Sequence, residues 1–313
     1  MNWDRDKLLL ELSRFSFEHS SVESDELKKY QSFYGMDFRQ EIAGLEQRIG
    51  WVRNDDYHIV LQSFHPPVSD ATVFLFHGYF DHAGLYSHLI RHLLMQEYTV
   101  VIYDLPGHGL SSGSRAVIDS FQQYQNVLNT CLSMCEAKLP KPFHAIGQST
   151  GGAVLIDRLL HEEGETFDKV ILLAPLIRPR SWTQVRLLHL ILSPFKTVLK
   201  RSFSRNSDDS QFLEFLKKQD PLQSKWLSVI WVGALKDWIP RIESAATRSR
   251  KVLVIQGKAD FTVGWRTNIP VIRRLFSNVK IAWLETGRHH LVNESADKRR
   301  QVFALIDSEL SGR

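Results

Sequence analysis

Gly147-Gln148-Ser149-Thr150-Gly151 places one hydroxyl between two glycines, behind the apolar run Pro142–Ile146 and ahead of the helix-like run Gly152–Leu160. A strand, a Gly-x-Ser-x-Gly turn and a helix form a sharp elbow that lifts the serine oxygen clear of the backbone at a strand end. The chemistry this permits is nucleophilic attack by Ser149, with the N-terminus of the following helix favouring negative charge nearby. A serine hydroxyl is a poor nucleophile at neutral pH, so an acid and a histidine should follow later in the chain. The bland alternative is a Gly/Ser loop closing a βα unit.

Two later segments supply such groups. Lys251–Gly257 reads as a buried strand, with Asp260 in the loop at its carboxyl end. Lys280–Leu284 reads as the next strand, with His289 and His290 behind it. In open parallel sheets, sites form at the carboxyl ends of the strands, so Ser149, Asp260 and a histidine are expected to converge on one edge. The histidine would take the serine proton and return it to the leaving group, while Asp260 fixes its tautomer and stabilises the imidazolium. The residues alone leave His289 and His290 tied, the other being solvent-facing or packed. Asp237 lies in a different kind of segment, and no acid follows the strand 169–173.

An oxyanion formed at such a serine needs two backbone N–H donors. Thr150, next to the nucleophile, supplies one. The strand Ala71–Phe76 runs into His77-Gly78-Tyr79-Phe80, where Gly78 allows a tight turn. Tyr79 is the expected second donor and Phe80 the runner-up. His77 is expected to hold this loop by hydrogen bonding and to take no part in proton transfer.

These residues carry a family resemblance. The chain resembles the monoacylglycerol lipase and lysophospholipase branch of the α/β-hydrolases, also called the serine aminopeptidase family. His77–Tyr86 resembles its His-Gly-x-x-Glu-His-x-x-x-Tyr loop, and Asp104–Gly113 its Asp-x-x-Gly-His-Gly-x-Ser-x-Gly segment. Gly147–Gly152 resembles Gly-His-Ser-Met-Gly-Gly, and Gly257–Val263 resembles Gly-x-x-Asp-x-x-Val. Thr286–Glu294 resembles Gly-Ala-x-His-x-x-x-Asn-Glu, a register that places the family's catalytic histidine on His289. The likeness runs from about residue 45 to the end. Four positions depart from it: Gln148 stands for His, Thr150 for Met or Leu, Asp81 for Glu and Leu85 for Arg. They border the site and bear on selectivity, and none removes a catalytic role.

The resemblance implies an α/β-hydrolase fold, a mostly parallel sheet flanked by helices with an inserted helical cap. It divides the chain into an N-terminal helical extension (1–40), a core (41–175 and 246–313) and a cap (176–245). It implies a serine hydrolase that cleaves carboxylic esters of single-chain lipids, a lysophospholipid or a monoacylglycerol, with the acyl chain under the cap. Phe80, Gln148 and Trp182 are the expected substrate contacts. The alternatives are a carboxylesterase, thioesterase or peptidase acting on non-lipid substrates, or a binding member without catalysis.

The elements fit this plan. Leu45–Arg53 and Tyr57–Phe64 read as an antiparallel pair around Asn54-Asp55-Asp56. Strands at 71–76, 98–103, 142–147, 168–173, 251–256 and 280–284 alternate with helical patterns, which implies a parallel sheet covered on both faces. Asp25–Tyr34, Ser120–Ala137 and Gln211–Lys218 read as helices. Over seventy residues between Leu173 and Lys251 show no clear strand. Within them, Leu176–Ser207 contains Arg178, Arg180, Arg186, Lys196, Lys200, Arg201 and Arg205 and no acid, interleaved with Trp182, leucines, Phe195 and Phe203. Such a stretch fits either a cap helix packed on the core with solvated cations, or a surface meeting anionic lipid headgroups.

Composition sets the outer limits. The 313 residues are 43% hydrophobic and 24% charged with a net charge of +4, ordinary for a globular protein. No nucleic-acid-binding signature, long basic run, repeat or low-complexity tract is present. The histidines lack paired ligand spacing, so neither metal nor cofactor is implied. Cys131 and Cys135, four apart on a helix, read as buried small residues. The charged start Asp4-Arg5-Asp6-Lys7 argues against a signal peptide, and no apolar stretch reaches eighteen residues. The chain therefore reads as cytoplasmic, with peripheral contact to the inner face of a membrane an open option, as is its oligomeric state.

Overall fold

The computed structural model describes residues 3–19, 23–55 and 57–312. In chain order the elements are α1 (Arg5–Glu11), α2 (Asp25–Tyr34), β1 (Glu46–Asn54), β2 (Tyr57–His65), β3 (Thr72–Phe76), α3 (Ser87–Met95), β4 (Thr99–Tyr103), α4 (Gln122–Cys135), β5 (Phe143–Gln148), α5 (Thr150–His161) and β6 (Val170–Leu173). They continue with α6 (Trp182–Leu192), β7 (Val198–Lys200), α7 (Ser210–Lys218), β8 (Trp226–Ser228), α8 (Val229–Glu243), β9 (Arg248–Gly257), α9 (Trp265–Leu275), β10 (Phe276–Leu284) and α10 (Ala296–Leu310). Asp56 of the expected β1–β2 turn lies outside the described residues.

Eight strands form one sheet in the order β1-β2-β4-β3-β5-β6-β9-β10. β1 pairs antiparallel with β2, and β2 with β4; every other pairing is parallel. This is the α/β-hydrolase architecture. The strands β3, β4, β5 and β6 are buried throughout their length, as their Val/Ile/Leu/Phe runs require of strands covered on both faces. One apolar layer joins the sheet to α4, α5, α8 and α9; the other joins it to α1, α2, α3 and α10. The chain leaves β3 for β4 on one side and returns past it to β5 on the other. Strand order reverses there, so the loops after β3 and β5 flank the crevice where ligands bind in such sheets.

Two expectations about the insert are corrected. It does contain strands: β7 and β8 pair antiparallel, Val198 opposite Ser228 and Lys200 opposite Trp226. At three residues each they are too short to show an alternating pattern. Its last helix, α8, also packs into the main core. Trp231 donates its indole N–H to Tyr124 Oη (3.0 Å), Trp238 donates to Asp157 Oδ2 (2.9 Å), and Leu235, Ile239 and Ile242 are buried with them. A division at residue 245 therefore does not coincide with a break in packing.

The described part of the first forty residues is fastened rather than appended. Trp3, Leu8, Tyr30, Tyr34, Met36 and Phe38 are buried in the second apolar layer. Tyr34 Oη donates to Asp220 Oδ1 at 2.7 Å, and the other oxygen of Asp220 lies 2.9 Å from Nε2 of buried His82. The N–H of Leu222 adds a third bond to the carboxylate, at 3.0 Å. Burial pulls His82 down, but the Asp220 charge and hydrogen bond outweigh it and leave the imidazole raised. One carboxylate thus ties α2, the loop after β3 and the insert together. Asp220→Ala strands His82 and Tyr34 without a partner, and is expected to destabilise the fold by about 3–5 kcal/mol. Urea denaturation measures this; a loss below about 1 kcal/mol contradicts the clamp.

Candidate active site

Ser149 caps α5 with φ 52° and ψ −110°, in a region that L-residues rarely occupy. Such a backbone costs about 1–3 kcal/mol and persists because its surroundings enforce it. The flanking glycines show how. A Cβ on Gly147 would lie 2.7 Å from the carbonyl carbon of Gly151, and one on Gly151 would lie 2.1 Å from the carbonyl oxygen of Phe76. Strand, turn and helix approach so closely that side chains are excluded, and the serine is forced outward.

Ser149 Oγ lies 3.0 Å from His289 Nε2, and His289 Nδ1 lies 2.8 Å from Asp260 Oδ2. All three residues are buried. Asp260 sits in the loop after β9. Its Oδ1 accepts the N–H groups of Thr262 (2.7 Å) and Val263 (3.2 Å), and its Oδ2 accepts from Gln256 Nε2 (3.2 Å). Burial alone would raise this carboxyl; His289 and the two backbone donors outweigh that and hold it low, so it is ionised at neutral pH. Burial would likewise depress His289, yet the charge and hydrogen bond of Asp260 prevail and raise it above its ordinary value. The arrangement is able to move a proton from Ser149 to His289 while a fixed anion supports the cation formed.

The loop after β3 presses against the nucleophile: a Cβ on Gly78 would be 3.4 Å from Ser149 Cβ. The N–H of Gly78 is taken by Asp81 Oδ2 and Tyr86 Oη, both at 3.2 Å. That leaves Tyr79 and Phe80 as the donors this turn can present, and Phe80 itself is held at φ 74°. Thr150 opens α5, where first-turn N–H groups have no intrahelical acceptor. His77 accepts the N–H of Leu105 at Nε2 (2.9 Å), and its Nδ1 donates to Gly78 O (2.8 Å), bracing the loop. Burial lowers its pKa and keeps it neutral.

A cavity of about 240 Å³ opens at Ser149, bordered by Phe80, Gln148, Thr150, Trp231, His289 and Arg201 among others. Of the expected substrate contacts, Phe80 and Gln148 border it. Gln148 also donates to His289 O at 2.8 Å and so fixes the histidine's backbone. Trp182 does not border it. It stands at the start of α6 beside a neighbouring hollow formed with Arg178, Arg180, Phe261 and Trp265. His290 is a packed histidine: Nε2 lies 3.0 Å from Asp81 Oδ1 and the ring meets Phe212. Sequence reasoning missed Trp231, stacked on Tyr79 at 3.9 Å, and Asn206, whose carbonyl accepts the N–H groups of His289 (3.1 Å) and His290 (2.8 Å). Neither lies in a local pattern; each arrives from the insert.

The expected acyl pocket under the insert is not formed by α6. That helix has no buried residue. Leu187, Leu188, Leu190 and Ile191 face solvent, as does Phe195 beyond it, which is 81% exposed. Among the described residues no helix is long and apolar enough to cross a membrane.

Comparisons with known proteins identify the family. The family model described as Serine aminopeptidase, S33 matches residues 67–296. The chain is similar to the monoglyceride lipase of Rattus norvegicus, 30% identical over 256 residues that cover 78% of this chain and 83% of that one. It is similar to the monoglyceride lipase of Homo sapiens, 27% identical over 259 residues with the same coverage. Its fold is like that of a soluble variant of the Saccharomyces cerevisiae monoglyceride lipase, with a TM-score of 0.73, 17% identity, and coverage of 84% of this chain and 94% of that one. The monoacylglycerol lipase of Paleococcus ferrophilus superposes with a TM-score of 0.70 at 19% identity, covering 82% and 99%. The match across residues 67–296 makes this chain a member of the serine aminopeptidase S33 family of α/β-hydrolases.

Proposed function

We propose that this chain, a carboxylic ester hydrolase by family and relatives, cleaves single-chain lipid esters through Ser149, His289 and Asp260. The single observation that supports the reading best is the continuous hydrogen-bond path from Ser149 Oγ to His289 (3.0 Å) and on to Asp260 (2.8 Å). His289 takes the serine proton as Oγ attacks the ester carbonyl. The developing oxyanion accepts from the N–H groups of Thr150 and Tyr79. Collapse expels the alcohol, to which His289 gives the proton, and leaves Ser149 acylated. Water, deprotonated by the same histidine, then releases the fatty acid.

The lipid part of the reading has two supports. The first is the similarity to monoglyceride lipases. The second is the outward apolar face of α6, flanked by exposed Arg186 and Lys196, whose side chains make no ion pair with a described residue. A cavity near 240 Å³ falls below the roughly 300–1,000 Å³ of drug-sized ligand sites. It holds the scissile ester with its head group or the first acyl carbons, and the rest of a long chain extends beyond it. We therefore assign α6 a second part, seating the enzyme on a lipid surface. Arg178, engaged with Glu243, contributes less charge there than its sequence position implies.

Hydrolysis of monoacylglycerols, lysophospholipids and short nitrophenyl esters by one preparation tests the substrate reading; a strict preference for the shortest acyl groups rejects a lipid substrate. Each fully buried Leu or Ile is worth about 1.5–3 kcal/mol. Leu190→Ser with Ile191→Ser is therefore expected to weaken sedimentation with anionic vesicles at least about ten-fold. Unchanged vesicle binding rejects the surface-seating part alone.

A further inference from the structure

The cavity at Ser149 contains a cation that the hydrolytic reading leaves idle. Arg201 follows β7 and reaches back into the site. Its guanidinium lies over the Phe80 ring at 3.9 Å and the Phe203 ring at 4.5 Å. Its Nη1 donates to Gln223 Oε1 (2.7 Å) and Ser224 O (3.3 Å), both neutral acceptors. No described carboxylate lies within ion-pair distance of it. The nearby carboxylates are committed elsewhere: Asp81 to His290, Tyr86 and the N–H of Gly78, and Asp220 to His82 and Tyr34.

An arginine in such a position is expensive to keep. Desolvation brings its pKa down to about 10, which the charges of Asp81 and Asp220 do not offset. The protein nonetheless fixes its plane with two aromatic rings, one side-chain amide and one backbone carbonyl, leaving Nε and Nη2 without an acceptor among the described residues. A planar, pre-positioned guanidinium with free donors is the group that recognises phosphate or carboxylate oxygens.

The chemistry of a single-chain lipid ester favours one side, because any phosphate it carries is on the alcohol and none is on the acyl chain. The segment that carries Arg201 continues through Ser202 and Ser204 to Asn206, whose carbonyl holds the N–H groups of His289 and His290. The segment thus ends on the backbone of the histidine that protonates the departing alcohol. Ser202 and Ser204 of this segment border the cavity with hydroxyls, while Leu176, Pro179, Trp231 and Val263 make up apolar lining elsewhere.

From this juxtaposition we infer that Arg201 binds a phosphate carried by the leaving alcohol, so that the preferred substrate is an anionic, lysophospholipid-type ester rather than a neutral monoacylglycerol. The inference rests on the hydrolase reading above and sharpens its substrate. The reaction is unchanged: the ester C–O bond breaks, the alcohol leaves with the proton from His289, and the phosphate stays intact.

The test uses the full chain and two dodecanoyl esters below their micelle concentrations, one of glycerol and one of glycerophosphate. The wild type is expected to show the higher kcat/KM for the phosphate ester. In Arg201→Gln the ratio of the two kcat/KM values should fall about 10- to 100-fold, through KM for the phosphate ester. Arg201→Lys should recover part of the ratio. Inorganic phosphate should compete in the wild type and not in Arg201→Gln; competition by phosphate without any preference between the esters identifies a free-anion site and overturns the head-group assignment. A ratio unchanged in Arg201→Gln, or a wild type that prefers the neutral ester, also overturns it. If Arg201→Gln does not fold, the wild-type preference and Arg201→Lys decide. Absence of hydrolysis of both esters, together with no fluorophosphonate labelling of wild-type Ser149, sinks the underlying hydrolase reading instead.

Discussion

Ser149→Ala lowers kcat by up to about a million-fold, the scale at which loss of a serine nucleophile removes acyl-enzyme chemistry altogether. What remains is the roughly 10³- to 10⁴-fold advantage over water that oxyanion donors and substrate binding confer without a nucleophile. The substitution removes one oxygen from a buried, strained position and leaves its backbone at φ 52° and its glycine neighbours untouched. Folding should therefore survive, and the loss is chemical. Turnover of a nitrophenyl ester reads the effect, and a fluorophosphonate probe reads it independently, since labelling should vanish with the oxygen. Turnover within ten-fold of the wild type, or persistent labelling, places the nucleophile elsewhere. Cys131 and Cys135 make poor replacements: both are buried in the α4 core, where desolvation raises their thiols and suppresses the reactive thiolate.

What was legible in the sequence is what local chemistry dictates. The elbow at Ser149 needs glycines on both sides within five residues, and the acid and histidine each follow an apolar run that reads as a strand, buried for β9 and half-buried at the sheet edge for β10. Those constraints are short-range, so the strands fall within a few residues of their expected bounds. That the sheet is mostly parallel was equally accessible, because a parallel strand requires a crossover and the helical patterns supply it; the order of the strands was not. The insert was legible only in part: its helix over Gln211–Lys218 is α7, but its short strands and its packing were not. Trp182 belongs to an apolar basic run and so resembled a lining residue, yet α6 turns its leucines outward and carries Trp182 away from the cavity. Arg201 looked like one cation among seven; its position depends on the three-residue pairing of β7 with β8 and on Phe80, more than a hundred residues earlier. The Tyr34–Asp220–His82 clamp joins residues up to 186 positions apart and has no local signature.

Asp260→Asn should reduce kcat by about 10⁴-fold, and its pH dependence distinguishes a working acid from a merely structural one. His289 must be neutral to accept a proton from Ser149. In the wild type, burial lowers the imidazole but the Asp260 charge and its 2.8 Å hydrogen bond raise it further, so its protonation midpoint lies above the roughly 6.5 of free histidine. kcat/KM therefore climbs as pH rises through that midpoint and is lost as pH falls below it. Asparagine keeps the shape and the bonds from Thr262 and Val263 but removes the charge. Burial is then left without its counterweight, and the midpoint should move to lower pH even as the plateau drops. An amide can also present its NH₂ to Nδ1, which would place the histidine proton on Nε2, where it blocks acceptance from the serine. The two effects have opposite signs at mildly acid pH: the charge effect gives more neutral histidine, the tautomer effect makes that histidine idle. A low plateau with a shifted midpoint is the joint signature, whereas a low plateau with the wild-type midpoint means that Asp260 does not set the proton affinity of His289.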